Sequence, residues 1–230
     1  MNSLFVISLP RSLSSLTYYI SRVALSLTAP SWTSDGEILN VDRFALYSGP
    51  SNDTARKFIV KEHDAVRFQC AMDFLDQATV PSGFAYKDVV HPFVVSEWLR
   101  SSEFRVLRIK RNLTDVVFSM LAHRWFYPKA ASQNETDVET AVIEGIIRAD
   151  AALDKAPGEH IDFDQLISDE SVLRNALVKL YPSASVLNFQ YLNEKFCAFR
   201  DEQVLHRRTF AEYKRLEEKV RQSLEALKPA

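Results

Sequence analysis

Short, nearly continuous apolar runs alternate along this chain with longer stretches in which apolar residues recur every three or four positions. The first pattern is typical of strands covered on both faces, and the second of amphipathic helices. The pattern predicts five strands, over Leu4–Leu9, Lys57–Val60, Phe84–Lys87, Arg105–Lys110 and His160–Phe163.

Helical spacing fills most of the intervals between these strands. The predicted helices are Leu13–Leu27, Glu62–Gln77, Pro92–Arg100, Leu113–Phe126, Asp137–Leu153, Glu170–Leu180 and Asp201–Leu227. Strands that alternate with helices favour an α/β fold with three αβα layers and a mostly parallel central sheet. The 230 residues contain no long Gly-, Pro- or Ser-rich linker, so we expect one domain over 1–230, with a C-terminal helix at about 201–228.

Composition excludes several classes of protein. A formal net charge of −2 gives no basic surface for nucleic acid. Cys70 and Cys197 are too few for a disulfide framework, so a reducing cytoplasm is the expected location. The first apolar run ends after six residues and has no basic segment before it, which predicts neither a signal peptide nor a membrane anchor.

The turn after the first strand has the chemistry of an anion site. Arg11 follows Pro10, and the hydroxyls of Ser12, Ser14 and Ser15 come at the start of the next helix. Amides of a first helical turn, the positive end of the helix dipole and a guanidinium favour an anion such as phosphate. The Gly-x-x-x-x-Gly-Lys-Ser/Thr spacing of ATPases and GTPases is absent, and the chain has only five glycines.

This segment resembles the 5′-phosphosulfate loop of sulfotransferases that use 3′-phosphoadenosine 5′-phosphosulfate (PAPS). The family pattern is Pro, Lys or Arg, Ser, Gly, Thr or Ser, Thr or Ser, and Pro10-Arg11-Ser12-Leu13-Ser14-Ser15 matches five of its six positions. Leu13 stands where the family commonly has Gly. The resemblance implies a P-loop-like sulfotransferase fold and a donor site that extends to Leu16.

A second strand, turn and helix begins at Arg105 and has its own resemblance to the family. Arg111 falls at the carboxyl end of the strand, and Ser119 follows eight residues later with Asp115 between them. The 3′-phosphate site of the family has this form. From the residues alone, Asp115 is equally explained as an early-helix acid that the dipole favours, and Ser119 as a tolerated helical serine.

Two further segments agree with the resemblance. Gly83–Asp88 is similar to the short strand that delivers a lysine, here Lys87, to the active centre of the family. His160–Ile167 resembles a later strand and helix, with Phe163 where the family often has a tyrosine that contacts adenine. Near the C-terminus, Arg207 or Arg208 matches the basic segment that closes over the 3′-phosphate.

The general base has several candidates. Glu37 lies in the variable region after the first helix, where some bacterial members have a catalytic glutamate, and His91 lies near the position of a family histidine. His63 is a third candidate. Each of the three is also explained as a capping, solvent-facing or hydrogen-bonded side chain.

Aromatic residues cluster in two segments, 29–52 and 122–132, which we expect to line the acceptor pocket. They are Trp32, Phe44, Tyr47, Trp125, Phe126 and Tyr127. Such residues favour an apolar or ring-bearing acceptor, but they also suit an ordinary core beside the sheet.

Together the resemblances predict a PAPS-dependent sulfotransferase. It would move a sulfonyl group in line to a hydroxyl or amine of a small-molecule, sugar or lipid acceptor, with PAPS as donor, 3′-phosphoadenosine 5′-phosphate (PAP) as product and no metal. Arg11 and Lys87 are the candidates for stabilising the leaving phosphate. A nucleotide or small-molecule kinase with an atypical loop and a non-catalytic PAP-binding protein are the alternatives, and homo-oligomerisation stays open.

Overall fold

A four-stranded, all-parallel sheet forms the centre of the protein. The computed structural model describes residues 2–31, 36–39, 58–78, 82–134, 137–169, 171–183 and 211–228. Its strands are β1 (Leu4–Ser8), β2 (Ala85–Asp88), β3 (Arg105–Lys110) and β4 (Glu159–Asp162), and their spatial order is β2-β1-β3-β4. β1 pairs with β2 through Phe5 and Tyr86, and with β3 through Phe5 and Val106.

Helices cover both faces of this sheet. They are α1 (Ser14–Ala24), α2 (Ala65–Gln77), α3 (Pro92–Leu99), α4 (Leu113–Ala122), α5 (Val138–Leu153), α6 (Phe163–Ser168), α7 (Ser171–Leu180) and α8 (Ala211–Ala226), with a 3₁₀ helix at Tyr127–Ala131. Each strand residue of β1 is buried, because alternate side chains enter two separate cores. The predicted α/β class and parallel three-layer arrangement are therefore confirmed.

The two cores assign each helix to a face. Phe5 and Ile7 pack with α2, α3, α4, α5 and α8 on one face. Leu4 and Val6 pack with α1, α6 and α7 on the other. The chain thus leaves β1 toward one face and leaves the neighbouring β3 toward the opposite face. A crevice opens at the carboxyl ends of two parallel strands where this happens, and ligands of doubly wound sheets bind there.

One predicted strand is wrong. Residues 58–60 are buried but form no strand, and Lys57 lies outside the described residues. Phe58 instead packs edge-on against Phe93 and Tyr127, at 5.3 Å from the Tyr127 ring centre. A short apolar run indicates burial, but it does not show whether a sheet edge is available to pair with it.

Most helix boundaries were predicted to within a few residues. Three predicted helices extended too far: α1 ends at Ala24 and α4 ends at Ala122, while α2 begins at Ala65, where Asp64 accepts a hydrogen bond from the Arg67 amide. The 3₁₀ helix and α6 were not predicted as separate helices. The predicted C-terminal helix is described only from residue 211 onward.

Arg108 is a charged residue within β3 with a structural role. Its side chain is fully buried and donates to Asp150 Oδ1 at 2.7 Å on α5, and it also contacts Asp154. Burial raises the pKa of Asp150, and the positive charge of Arg108 lowers it by a smaller amount. This ion pair holds α5 against the sheet.

Candidate active site

The turn between β1 and α1 has an unusual backbone. Arg11 and Leu13 have positive φ angles of 64° and 59°. Leu13 occupies the N-cap of α1 without a side-chain cap hydrogen bond, and the first turn of this helix contains no acidic residue. Leu13 therefore adopts the left-handed conformation that glycine adopts without strain. A leucine at this position still gives the turn a left-handed backbone.

The side chain of Arg11 joins the two sequence motifs. Its Nε donates to Ser119 Oγ at 3.1 Å, and its Nη2 lies 3.4 Å from His123 Nε2. The guanidinium also stacks over Trp125, at 5.1 Å from the ring centre. A cation from the β1–α1 turn and a hydroxyl of α4 thus meet across the crevice.

Arg111, directly after β3, contacts both the β1–α1 turn and the start of α6. Its Nη1 donates to the backbone carbonyl of Arg11. Its guanidinium lies 4.3 Å from the ring centre of Phe163, which is 3% exposed at the start of α6. Arg11, Arg111 and Ser119, predicted from segments about a hundred residues apart, form one cluster that we call the cation cluster.

The remaining residues of the first motif surround this turn. Ser12 and Ser14 are buried, and Ser12 Oγ is 3.4 Å from the Pro10 carbonyl. Ser15 is exposed and Leu16 is half-buried against the α1 face of the sheet. Phe163 stays a predicted adenine contact. Arg207 and Arg208 lie outside the described residues.

Lys87 and Glu37, both predicted as catalytic, form an ion pair. Lys87 Nζ donates to Glu37 Oε1 at 2.9 Å, with 3% of the lysine side chain and 24% of the glutamate side chain exposed. The backbone produces this contact, because the Lys87 amide donates to the Gly36 carbonyl at 2.8 Å and Glu37 bridges to Lys87 in parallel. The segment 36–39 therefore extends the sheet beyond β2. Gly36 has a φ of 76° and lies directly against the Tyr18 ring, so any other residue would be strained in its backbone and would have to displace that ring.

His91, the other predicted base, is held by a carboxylate. It is 1% exposed at the N-cap of α3, and its Nδ1 lies 3.1 Å from Asp88 Oδ2. Asp88 Oδ1 also accepts the backbone amides of Val90 and His91 at 2.9 and 2.7 Å. His63 lies elsewhere, with Nδ1 3.3 Å from the Ala130 carbonyl. Of these candidates, the Glu37 carboxylate is partly exposed and His63 is exposed, whereas His91 is oriented but covered.

Part of the predicted aromatic wall is present beside these groups. Tyr127 packs against Phe58 and lies 6.5 Å from Trp125, whose side chain is 42% exposed. Burial raises the pKa of Tyr127, and the Asp88 and Glu37 carboxylates raise it further, while Arg11 lowers it. The phenol thus lies within electrostatic reach of both the cation cluster and the Lys87–Glu37 pair. Phe126 is half-buried, and three predicted wall residues lie outside the described residues: Trp32, Phe44 and Tyr47.

Two residues of this region were not predicted from the sequence. Asp88 directly follows Lys87 in β2, and its signal was the spacing of three to His91, which suits a turn in which a carboxylate accepts the backbone amides that lead into the following helix. His123 follows Ser119 by four residues, which places both side chains on one face of α4. Neither spacing belongs to a phosphate motif, so neither residue stood out.

The arrangement has two chemical parts. The cation cluster, with the uncapped start of α1, offers guanidinium, hydroxyl and amide donors for an anionic group. The Lys87–Glu37 pair offers a cation and a carboxylate that accepts a proton. Within the described ranges, no three His, Cys, Asp or Glu side chains lie close enough to hold a metal ion. None of the helices in the described part of the chain has the length and apolar character needed to cross a membrane.

The chain is similar to known proteins in structure rather than in sequence. No protein-family model and no curated protein matches this chain. Among solved structures, the chain is similar to the sulfotransferase domain from the curacin biosynthetic pathway, at 12% identity and a TM-score of 0.43. That match covers 96% of this chain and 97% of the other.

Proposed function

We propose that this protein is a PAPS-dependent sulfotransferase. One observation supports the proposal above all others: Arg11 from the first phosphate motif lies 3.1 Å from Ser119 of the second, and Arg111 donates to the Arg11 carbonyl. Each motif by itself has an ordinary structural explanation. Their meeting at the carboxyl edge of β1 and β3, where ligands of such sheets bind, agrees with one ligand that has two phosphate groups.

The donor set suits PAPS in its chemistry. Guanidinium groups bind phosphate through paired, charge-assisted hydrogen bonds, and the hydroxyl of Ser119 adds a further donor. The start of α1 presents the positive end of its dipole without an internal cap or an acidic side chain. Arg111 and Ser119 would hold one phosphate, and Arg11 with the α1 amides the other.

The Lys87–Glu37 pair supplies the groups that transfer requires. PAPS supplies an activated sulfonyl group on a phosphate that leaves readily. In the proposed step the acceptor oxygen forms a bond to sulfur, the bond from sulfur to the phosphate oxygen breaks, and PAP leaves with that electron pair. Glu37 takes the acceptor proton, while Lys87 and Arg11 stabilise the charge on the departing oxygen. The acceptor is a hydroxyl or amine of a small molecule, sugar or lipid, beside the ring of Trp125.

Calorimetric titration with PAP, and separately with ATP and magnesium, tests the donor site. We expect metal-independent PAP binding, weakened roughly 10- to 100-fold in Arg111→Ala and roughly tenfold in Ser119→Ala. Arg105→Ala is the matched control, because Arg105 is exposed at the opposite end of β3 and its substitution removes the same charge as Arg111→Ala. A preference for ATP with magnesium, or equal losses in all three variants, would overturn the proposal.

Transfer itself is tested with radiolabelled PAPS and a panel of phenol, sugar and lipid acceptors. Glu37→Gln is expected to lower transfer by at least about 100-fold while PAP affinity stays near the wild-type value. Arg11→Ala is expected to abolish both. If the protein binds PAP tightly but no acceptor is sulfonated, it is a binding protein and the enzymatic part of the proposal fails.

A further inference from the structure

His123 lies at the C-terminal end of α4 and contacts two residues of the cation cluster, Arg11 and Ser119. Its Nδ1 is 2.7 Å from the Ser119 carbonyl oxygen, and its Nε2 is 3.4 Å from Arg11 Nη2. The Trp125 ring lies 5.9 Å from the imidazole ring. This histidine thus borders the place where the proposed function needs a phosphate, although no phosphate motif includes it.

The two contacts determine where the imidazole hydrogen lies. A carbonyl oxygen only accepts hydrogen bonds, so Nδ1 has to be the protonated nitrogen that donates to Ser119. A guanidinium only donates, so the neutral ring turns the lone pair of Nε2 toward Arg11. Both observed contacts are satisfied by one neutral tautomer of His123.

Protonation of Nε2 changes this contact from attraction to repulsion. It would place an imidazolium N–H against the Arg11 guanidinium, which is the charged side chain that contacts the ring among the described residues. Arg124 follows His123 in the chain and is exposed. A dianion bound at Arg11 would remove this repulsion, because it neutralises the guanidinium and accepts a hydrogen bond from Nε2.

We propose that His123 is a proton-linked phosphate ligand: it takes up a proton when PAP binds and donates from Nε2 to a phosphate that Arg11 also holds. This inference rests on the proposed function, since it assumes that the cation cluster binds PAP. It makes PAP affinity rise as the pH falls from 8 to 6, and the proton comes from the buffer.

Calorimetry at pH 6.5 in two buffers of different ionisation enthalpy measures the protons taken up per PAP. Wild type is expected to take up roughly half a proton more than His123→Gln, since proton changes of the phosphates themselves are common to both proteins. At pH 6 the variant is expected to bind PAP roughly tenfold more weakly, and at pH 8 the two are expected to differ by less than about twofold. His160→Gln, which removes an exposed histidine of β4, is the control expected to match wild type.

Equal proton uptake by wild type and His123→Gln, with PAP bound by both, would overturn the inference and leave the proposed function standing. Absence of PAP binding by wild type and His160→Gln would instead overturn the proposed function.

A proton NMR titration of wild type gives an answer that does not need the variant to fold. At pH 6.5 the Cε1–H resonance of His123 should move toward its protonated position when PAP is added, and an unmoved resonance would also overturn the inference. Adenosine 3′-phosphate and adenosine 5′-phosphate then assign the effect to one phosphate.

Discussion

The two strand–turn–helix connections, β1–α1 and β3–α4, differ in how the first amides of their helices are capped. At the start of α4, Asn112 Oδ1 accepts the amides of Thr114 and Asp115 at 2.9 and 3.4 Å. At the start of α1, Leu13 has a left-handed backbone and provides no side-chain cap. Two amides at the start of α4 are therefore satisfied by the chain itself, whereas the side chain of the α1 N-cap residue accepts none.

A second contact closes the start of α4. The carboxylate of Asp115 accepts a hydrogen bond from the Tyr213 hydroxyl of α8 at 2.7 Å, in a buried position. Asp115 thus has the structural explanation that its place in a first helical turn suggests. Arg111 and Ser119 of the second motif instead contact Arg11. The comparison therefore separates a helix start that the chain caps itself from one that we propose binds an anion.

Among substitutions at these two helix starts, those at Leu13 should have the largest effect on stability and PAP affinity. Leu13→Val places a β-branched residue at a φ of 59°, which should lower the free energy of unfolding by roughly 1 kcal/mol and weaken PAP binding several-fold. Leu13→Gly relieves the backbone but loses the partial packing of the leucine, so stability should stay near wild type, with PAP binding retained. Urea unfolding and calorimetry measure both quantities. Binding that survives Leu13→Val but not Leu13→Gly would show that the leucine side chain, and not the turn's shape, matters.

The predictability of each part of the molecule follows from the range of the interactions that form it. β1, β3 and the helices after them depend on local apolar spacing, and the sequence predicted their positions, although both helices end earlier than predicted. The segment 58–60 failed because pairing depends on which sheet edge lies nearby. Glu37 and Lys87 were predicted separately, but their ion pair spans 50 positions and requires the parallel bridge beside β2. The residues of the cation cluster were predicted from the resemblance of both motifs, and they meet because the two motifs follow adjacent parallel strands.

The cap of α4 provides the next test of the comparison. Asn112→Ala removes the acceptor of two helical amides and should lower the free energy of unfolding by about 1 kcal/mol. PAP affinity should change little, since this cap faces the helix rather than the ligand. Asn112→Asp keeps the acceptor and is the control expected to retain stability in urea unfolding. A loss of PAP binding in Asn112→Ala larger than its loss of stability would show that the two turns are not separable in function.

The smallest expected effect on stability comes from the ion pairs between α5 and α8, the helix that supplies Tyr213. Glu139 accepts hydrogen bonds from Arg215 at 2.8 and 2.7 Å and from Lys219 at 2.5 Å, and the Arg215 bonds are the main cause of a pKa lowered to about 2. A carboxylate with a lowered pKa in the folded state stabilises the protein above its ordinary pKa, and that contribution disappears as the pH falls from about 5 toward 2.

Glu139→Gln should therefore lower the free energy of unfolding by about 0.5 kcal/mol at pH 7, because the pair is partly exposed, and by almost nothing near pH 2. Urea unfolding at pH 7, 4 and 2.5 measures the difference, with Glu218→Gln, whose partner Arg221 lies on the same helix, as a control expected to show less. A difference that persists at pH 2.5 would mean that Glu139 acts through packing rather than charge, and that the attachment of α8 does not depend on this ion pair.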